Sequence, residues 1–402
     1  MNNHARAGSA QAALLLFCSC LPVLGAVLIA PVLPRMQVHF ADTPGAAVLV
    51  PVALTLPALV IALLAPLAGV LADRIGRRRL LLGSMLLYSL CGVLPLWLDS
   101  LHLIVASRAG IGLAEAGIMT CCTTLMGDYF DGRRRERLFA LQMVVTSLSA
   151  ALFMGLGGAL GEHGWRTPFV LYAAGLVCLP LLALLLWEPQ VQVRPAGHAS
   201  ERFAWRALSP LYLLTLLAGV SLFIVPVQAG YRLQLLDIHA PQQIGLVMGA
   251  NQLGVLLGAL SFRWLSRQPA ARVLALGFAI AGLGGALMAY VTRLELMALA
   301  VLINGLGIGL LLPTLITRVM ACVGFEQRGR ATGGFTAAIF AGEFASPLLV
   351  LAITTGELSH LPRALLLIAL VQLILAPLCL LLLRRSSRPA TSAPAMPLGD
   401  GH

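Results

Sequence analysis

Three ionisable side chains stand inside long apolar stretches, and they are the residues of this sequence best placed to do chemistry. Arg108 and Glu115 share the run Arg108-Ala-Gly110-Ile-Gly112-Leu-Ala-Glu115-Ala-Gly117. Their spacing is about two helical turns, so the two charges fall on one helix face ~10 Å apart. Glu343 lies in Phe340-Ala-Gly342-Glu343-Phe344, about midway along another apolar run from Ala331 to Thr355. A charge in a membrane-spanning helix is costly and normally faces the interior of a bundle or a water-filled path. A carboxylate there can bind and release a proton, which gives Arg108, Glu115 and Glu343 a proton-coupling reading. The alternatives are structural. Arg108 and Glu115 could neutralise each other or buried carbonyls, and Glu343 could pack as a neutral, hydrogen-bonded group. Gln142, Gln228, Asn251, Gln252 and Asn304 are polar residues within apolar segments, each able to touch a substrate or to bridge helices.

Other chemistries lack their residues. The eight cysteines lie in or beside apolar runs, without a CxxC pair or a histidine at zinc-like spacing, so they read as packing residues and no metal is expected. His39, His102, His163, His239 and His360 fall between apolar runs and read as solvated loop residues. A GxxxxGK[ST] loop is absent, which argues against ATP as a driving force. Gly305-Leu-Gly307-Ile-Gly309 sits in an apolar segment with no strand before it, as expected for close helix packing. No cofactor is implied.

The elements that must carry these residues follow from composition. Of 402 residues, 59% are hydrophobic and 11% charged, with a mean hydropathy of +0.91. Soluble domains carry about 25% charged residues, and disordered chains are poor in apolar ones, so both classes are excluded. A bilayer core needs about 20 apolar residues per helix. Twelve segments qualify: 11–34, 46–72, 79–98, 101–126, 138–160, 168–187, 209–229, 243–264, 272–291, 296–317, 332–355 and 361–383. They are too long, and lack the alternation, for the strands of a barrel. The first reads as a span and not as a cleaved secretory signal, because it continues to Pro34.

All 27 basic residues are arginine, and the net charge is +11. The arginines come in short packets between apolar runs and do not cluster on one solvated module, which argues against nucleic-acid binding. Most fall on one side, including Arg74, Arg77, Arg78, Arg79 and Arg133, Arg134, Arg135, Arg137. The positive-inside rule then places both termini in the cytoplasm. The five tryptophans fall near predicted helix ends or in loops, as in an interfacial belt.

The chain divides into related halves. Residues 1–187 hold six spans and 209–383 another six, with a polar linker at 188–208 and a tail, 384–402, whose Ser, Pro and Ala predict disorder. Arginine-bearing loops and glycine clusters recur at a steady offset of roughly 190 residues, the signature of a parallel six-plus-six repeat.

After the second span stands Gly69-Val-Leu71-Ala-Asp73-Arg74-Ile-Gly76-Arg77-Arg78-Arg79. This run resembles the G-x-L-a-D-r-x-G-r-k-x loop motif of the major facilitator superfamily, and the resemblance extends from about Ala12 to Leu383. It implies an all-α membrane protein of twelve helices in two pseudo-symmetric six-helix bundles. It also implies that Gly69, Asp73, Arg74, Gly76, Arg77 and Arg78 form a lock between the halves on the cytoplasmic side. Arg108 and its following glycines resemble the family's second motif, associated with proton coupling. Many exporters of the superfamily carry Gly-Pro in the fifth span; Phe153-Met154 stands there instead, although Gly164-Trp165-Arg166 follows as in those exporters. Val225-Pro226-Val-Gln228 is similar to efflux permeases of the arabinose type.

The expectation is a monomeric secondary transporter, not an enzyme, in a bacterial inner membrane among lipid. It would exchange protons for a small, moderately apolar organic compound or drug, exporting it by alternating access. One alternative is a proton-coupled importer of an organic acid or nutrient, with Arg108 binding the substrate carboxylate. Another is a non-transporting membrane receptor or assembly partner on the same fold.

Overall fold

A computed structural model describes residues 7–189, 204–324 and 327–384. Among them, twelve helical segments are long and apolar enough to cross a membrane. We number them α1 (Ser9–His39), α2 (Ala46–Ile75), α3 (Arg77–Val93), α4 (Leu101–Tyr129), α5 (Gly132–Gly161) and α6 (Ala174–Leu185, after a 3-10 turn at Thr167–Ala173). The second set is α7 (Trp205–Gln234), α8 (Pro241–Leu265), α9 (Ala270–Tyr290), α10 (Leu294–Ala321), α11 (Arg328–Thr354) and α12 (Leu361–Arg384). The described residues contain no strand.

The first span is the least regular. It is built from helices Ser9–Cys18, Leu21–Val27 and Leu33–His39 with a 3-10 turn at Ala30–Val32, where one unbroken helix was expected. Pro22, Pro31 and Pro34 each stand at the start of a new piece. Proline has no N–H to give the preceding turn, so each restart leaves carbonyls without a helical partner. Other ends run past their expected limits into the polar zone. Helix α5 starts at Gly132, which puts Arg133–Arg137 in its first turns, and α7 starts at Trp205, inside the expected linker. The rest of that linker, 190–203, and the tail from 385 lie outside the described residues.

The helices form two six-helix bundles, α1–α6 and α7–α12. In the first, α4 packs between α2 and α3; in the second, α10 packs between α8 and α9, and α9 also packs on α12. The bundles meet chiefly where α5 lies on α8 and α2 on α11. Small residues decide these approaches, as expected in lipid. A Cβ at Gly305 or Gly309 of α10 would strike the α8 backbone, while one at Gly307 would strike α9. Two of the five tryptophans depart from a lipid-facing belt: Trp165 is buried against Phe40 and Phe169, and Trp187 stacks on Tyr129.

Candidate functional site

Arg108 is wholly buried, and its guanidinium is taken up by groups other than carboxylates. Nε donates to the Ala53 carbonyl (3.0 Å), Nη2 to the Gly25 carbonyl (2.5 Å) and Nη1 to the Tyr172 hydroxyl (2.6 Å). The cation also lies 5.4 Å from the centre of the Tyr172 ring. Local sequence explains both carbonyls. The natural helical partner of Ala53 O would be the N–H of residue 57, which is proline. Gly25 O stands in the last turn of the short Leu21–Val27 helix, where carbonyls lack intrahelical partners. Arg108 therefore ties α4 to α1, α2 and the turn before α6.

Glu115 and Glu343 meet at one cavity of about 430 Å³ between the bundles. Glu115 lies 14 residues from the end of α4 at Tyr129, and Glu343 lies 15 from the start of α11 at Arg328. At ~1.5 Å per residue both are ~22 Å from the basic end, the end that carries Arg77–Arg79. They thus share one depth. Both are buried, and Glu115 Oε1 has no hydrogen-bond partner. Glycines aim them. Gly112 sets α4 against Pro57 of α2, and Gly117 sets it against Ser84 of α3, which turns Glu115 toward α1. There Gly25 leaves the space that the carboxylate fills: a Cβ on Gly25 would fall on it. Gly342 seats α11 on the Leu216 carbonyl of α7, and Glu343, the next residue, faces the cavity.

The remaining expected polar residues divide. Gln142 and Gln252 line the cavity, and Gln142 also donates to Ser19 Oγ (3.0 Å). Asn251 and Asn304 bridge helices instead. Asn251 donates to the Val301 carbonyl (2.8 Å), and Asn304 donates to the Ala281 carbonyl (2.8 Å). Gln228 lines a separate cavity of about 300 Å³ toward the far end, with Gln37, Gln234 and Glu357. Sequence reasoning passed over Ser19, Thr123, Thr146 and Ser147, which add hydroxyls to the central cavity, and over Met119, Phe223 and Phe340, which add apolar surface. Single Ser and Thr residues in apolar helices are too common to stand out.

At the basic end, the expected lock residues bond within their own half. Asp73 pairs with Arg77 (3.4 Å), and Arg77 also pairs with Asp128 of α4. The backbone N–H groups of Arg77 and Arg78 donate to the Glu188 carboxylate (2.6 and 3.1 Å), which caps the start of α3. Arg78 donates to the Ala183 carbonyl (2.6 Å). Gly76 has a φ of +100° and faces Glu188 directly, so this turn favours glycine. Gly69 has nothing within 4 Å of where a Cβ would stand, and Arg74 is exposed.

The two bundles touch at the far end. A Cβ at Gly158 of α5 would strike the Pro241 carbonyl of α8, and one at Gly245 of α8 would strike the Met154 carbonyl of α5. Glu162 pairs with Arg35 (3.3 Å) and accepts from the Gln242 N–H (3.0 Å) in the first turn of α8. That single carboxylate spans both halves. Arg232 is buried and caps α9 through the Met288, Ala289 and Val291 carbonyls.

Comparison with known proteins agrees with this architecture. The family model described as Major Facilitator Superfamily matches residues 15–235 and 211–398. A class C tetracycline resistance protein of Escherichia coli is 28% identical over 366 residues, covering 84% of this chain and 88% of that one. A gallate transporter of Pseudomonas putida is 33% identical over 125 residues, covering 30% of this chain and 26% of that one. Among solved structures, a bacterial homologue of the human lysosomal transporter Spinster, inward-facing and occupied, superposes with a TM-score of 0.77 at 16% identity, covering 94% and 97% of the two chains.

Proposed function

We propose, for a chain that belongs to the major facilitator superfamily and so carries small molecules across a membrane, that transport is proton-coupled export of a small, moderately apolar organic compound by alternating access. The observation that carries this reading is the pair of buried carboxylates, one from each half, facing one cavity at one depth. A carboxylate in such a place crosses between the two open states at least cost when protonated, and it exchanges that proton when the cavity meets water. Two acids in one cavity also cannot both stay charged without a cation between them. Proton and substrate would then alternate on the same groups, which is the logic of antiport.

Arg108 enters as a positioning residue, holding α4 so that Glu115 faces the cavity. Asp73, Arg77 and Arg78 would tie the halves together at the basic end in the opposite state, while here the far end holds them. The arginine count supports a cytoplasmic side for the basic end and both termini, in a bacterial inner membrane. Export draws support from the likeness to a tetracycline resistance protein. Import of an organic acid anchored on Arg108 loses its anchor, because the Arg108 nitrogens already donate to Gly25, Ala53 and Tyr172.

Vesicles test the reading. Everted membrane vesicles carrying the protein, with a pH-sensitive dye and a compound panel, should show at least one compound that both dissipates the proton gradient and accumulates. Accumulation should vanish with nigericin. Gradient-driven accumulation only in right-side-out vesicles would replace export by import, and a panel that moves neither itself nor protons would favour a receptor.

A further inference from the structure

The central cavity has one sign of charge. Among the described residues lining it, Glu115 and Glu343 are the charged ones, and no arginine or histidine joins them. The nearby cation, Arg108, does not line the cavity; it donates to carbonyls of α1 and α2 and to the Tyr172 hydroxyl. Glu115 Oε1 stays buried and without a hydrogen-bond partner, and Glu343 lines the same cavity from the other half. The surrounding wall offers Met119, Phe223 and Phe340, a polarisable sulfur and two aromatic rings.

From this arrangement we infer that the cavity selects a lipophilic organic cation, an amine or onium compound whose charge sits between Glu115 and Glu343 and whose apolar body lies on Met119, Phe223 and Phe340. A cation leaving water needs a counter-charge in the low-dielectric interior, and two carboxylates supply it. An anion of the same shape would meet repulsion from both and attraction from neither. Aromatic faces add cation–π attraction, and thioether sulfur packs well on flat apolar bodies. The volume suits one drug-sized guest. Because the two acids come from different halves, a single bound cation also joins the halves through charge.

The inference rests on the proposed transport reading in taking this cavity as the substrate site. Its test is therefore equilibrium binding, which needs no proton gradient. Full-length protein in detergent would be titrated separately with tetraphenylphosphonium, with ethidium and with tetraphenylborate, an anion of nearly the same shape as the first. Saturable binding of at least one cation is expected, together with no saturable binding of tetraphenylborate. Glu115→Gln and Glu343→Gln should each weaken the cation at least tenfold, and the double variant should abolish binding. Glu115→Asp and Glu343→Asp, which keep the charge, should retain it and so separate charge from folding. Undiminished cation binding in the double Gln variant, equal binding of tetraphenylborate, or binding of neither cation would each overturn the inference. Failure of proton-driven flux with cation binding intact would instead count against the transport reading alone.

Discussion

At the scale of single residues, Arg108 and Glu115 do different jobs although they stand on one helix face. Arg108 satisfies carbonyls that Pro57 and the end of the Leu21–Val27 helix leave unpaired. Its loss leaves buried acceptors without donors, at ~2 kcal/mol or more. Arg108→Met should therefore lower the thermal unfolding temperature in detergent, and Arg108→Lys should recover only part of it, because one ammonium lacks the reach and fork of a guanidinium. Equal stability of Arg108→Met and wild type would contradict the positioning role. Gly25→Ala is a sharper probe, since the added methyl meets the Glu115 carboxylate without changing any charge. It should cut transport at least tenfold while the protein still reaches the membrane; full transport would show that the placement of Glu115 is not critical. The charged residues were legible in the sequence because lipid makes them conspicuous. Their partners were not, since carbonyls carry no letter, and Glu115 and Glu343 share a cavity only through the pairing of the two bundles. Pro57 was a clue to one of these partners, the Ala53 carbonyl left without a helical donor.

At the scale of elements, glycine spacing fixes how close helices come, and thereby where the two bundles touch. Gly158 and Gly245 let α5 and α8 touch backbone to backbone, and Glu162 adds a charge-assisted bond to the start of α8. Gly158→Val should push these helices apart. Spin labels at the exposed positions Val38 and Leu235, one in each half, should then report a longer distance by pulsed electron resonance. Glu162→Gln removes the charge from the helix start, worth ~1 kcal/mol, and should shift the same distribution in the same direction by a smaller amount. Unchanged distances in both variants would contradict the joining of the bundles by these contacts. Twelve spans were readable from hydropathy alone because twenty apolar residues in a row allow little else. The breaks in α1 were less so: prolines in lipid-embedded helices are common, and only packing decides whether one bends a helix or restarts it. The glycines of α10 read correctly as packing residues, although their division between α8 and α9 needed the fold.

At the scale of the whole molecule, few charges serve several ends, and each has a place. Arginine rows mark one face, Arg108 and Arg232 cap carbonyls inside, and Glu115 and Glu343 face the space between the bundles. Asp73 and Arg77 pair at the basic end within the first half, while at the far end the Glu162 carboxylate joins both halves. The central claim is that the two cavity carboxylates couple protons to substrate movement. It is tested most directly in everted vesicles, with one compound found to be transported by the wild type, comparing gradient-driven accumulation in Glu115→Gln and in Glu343→Gln at matched expression. The account predicts that driven accumulation is lost in both variants; full driven accumulation in both would contradict it.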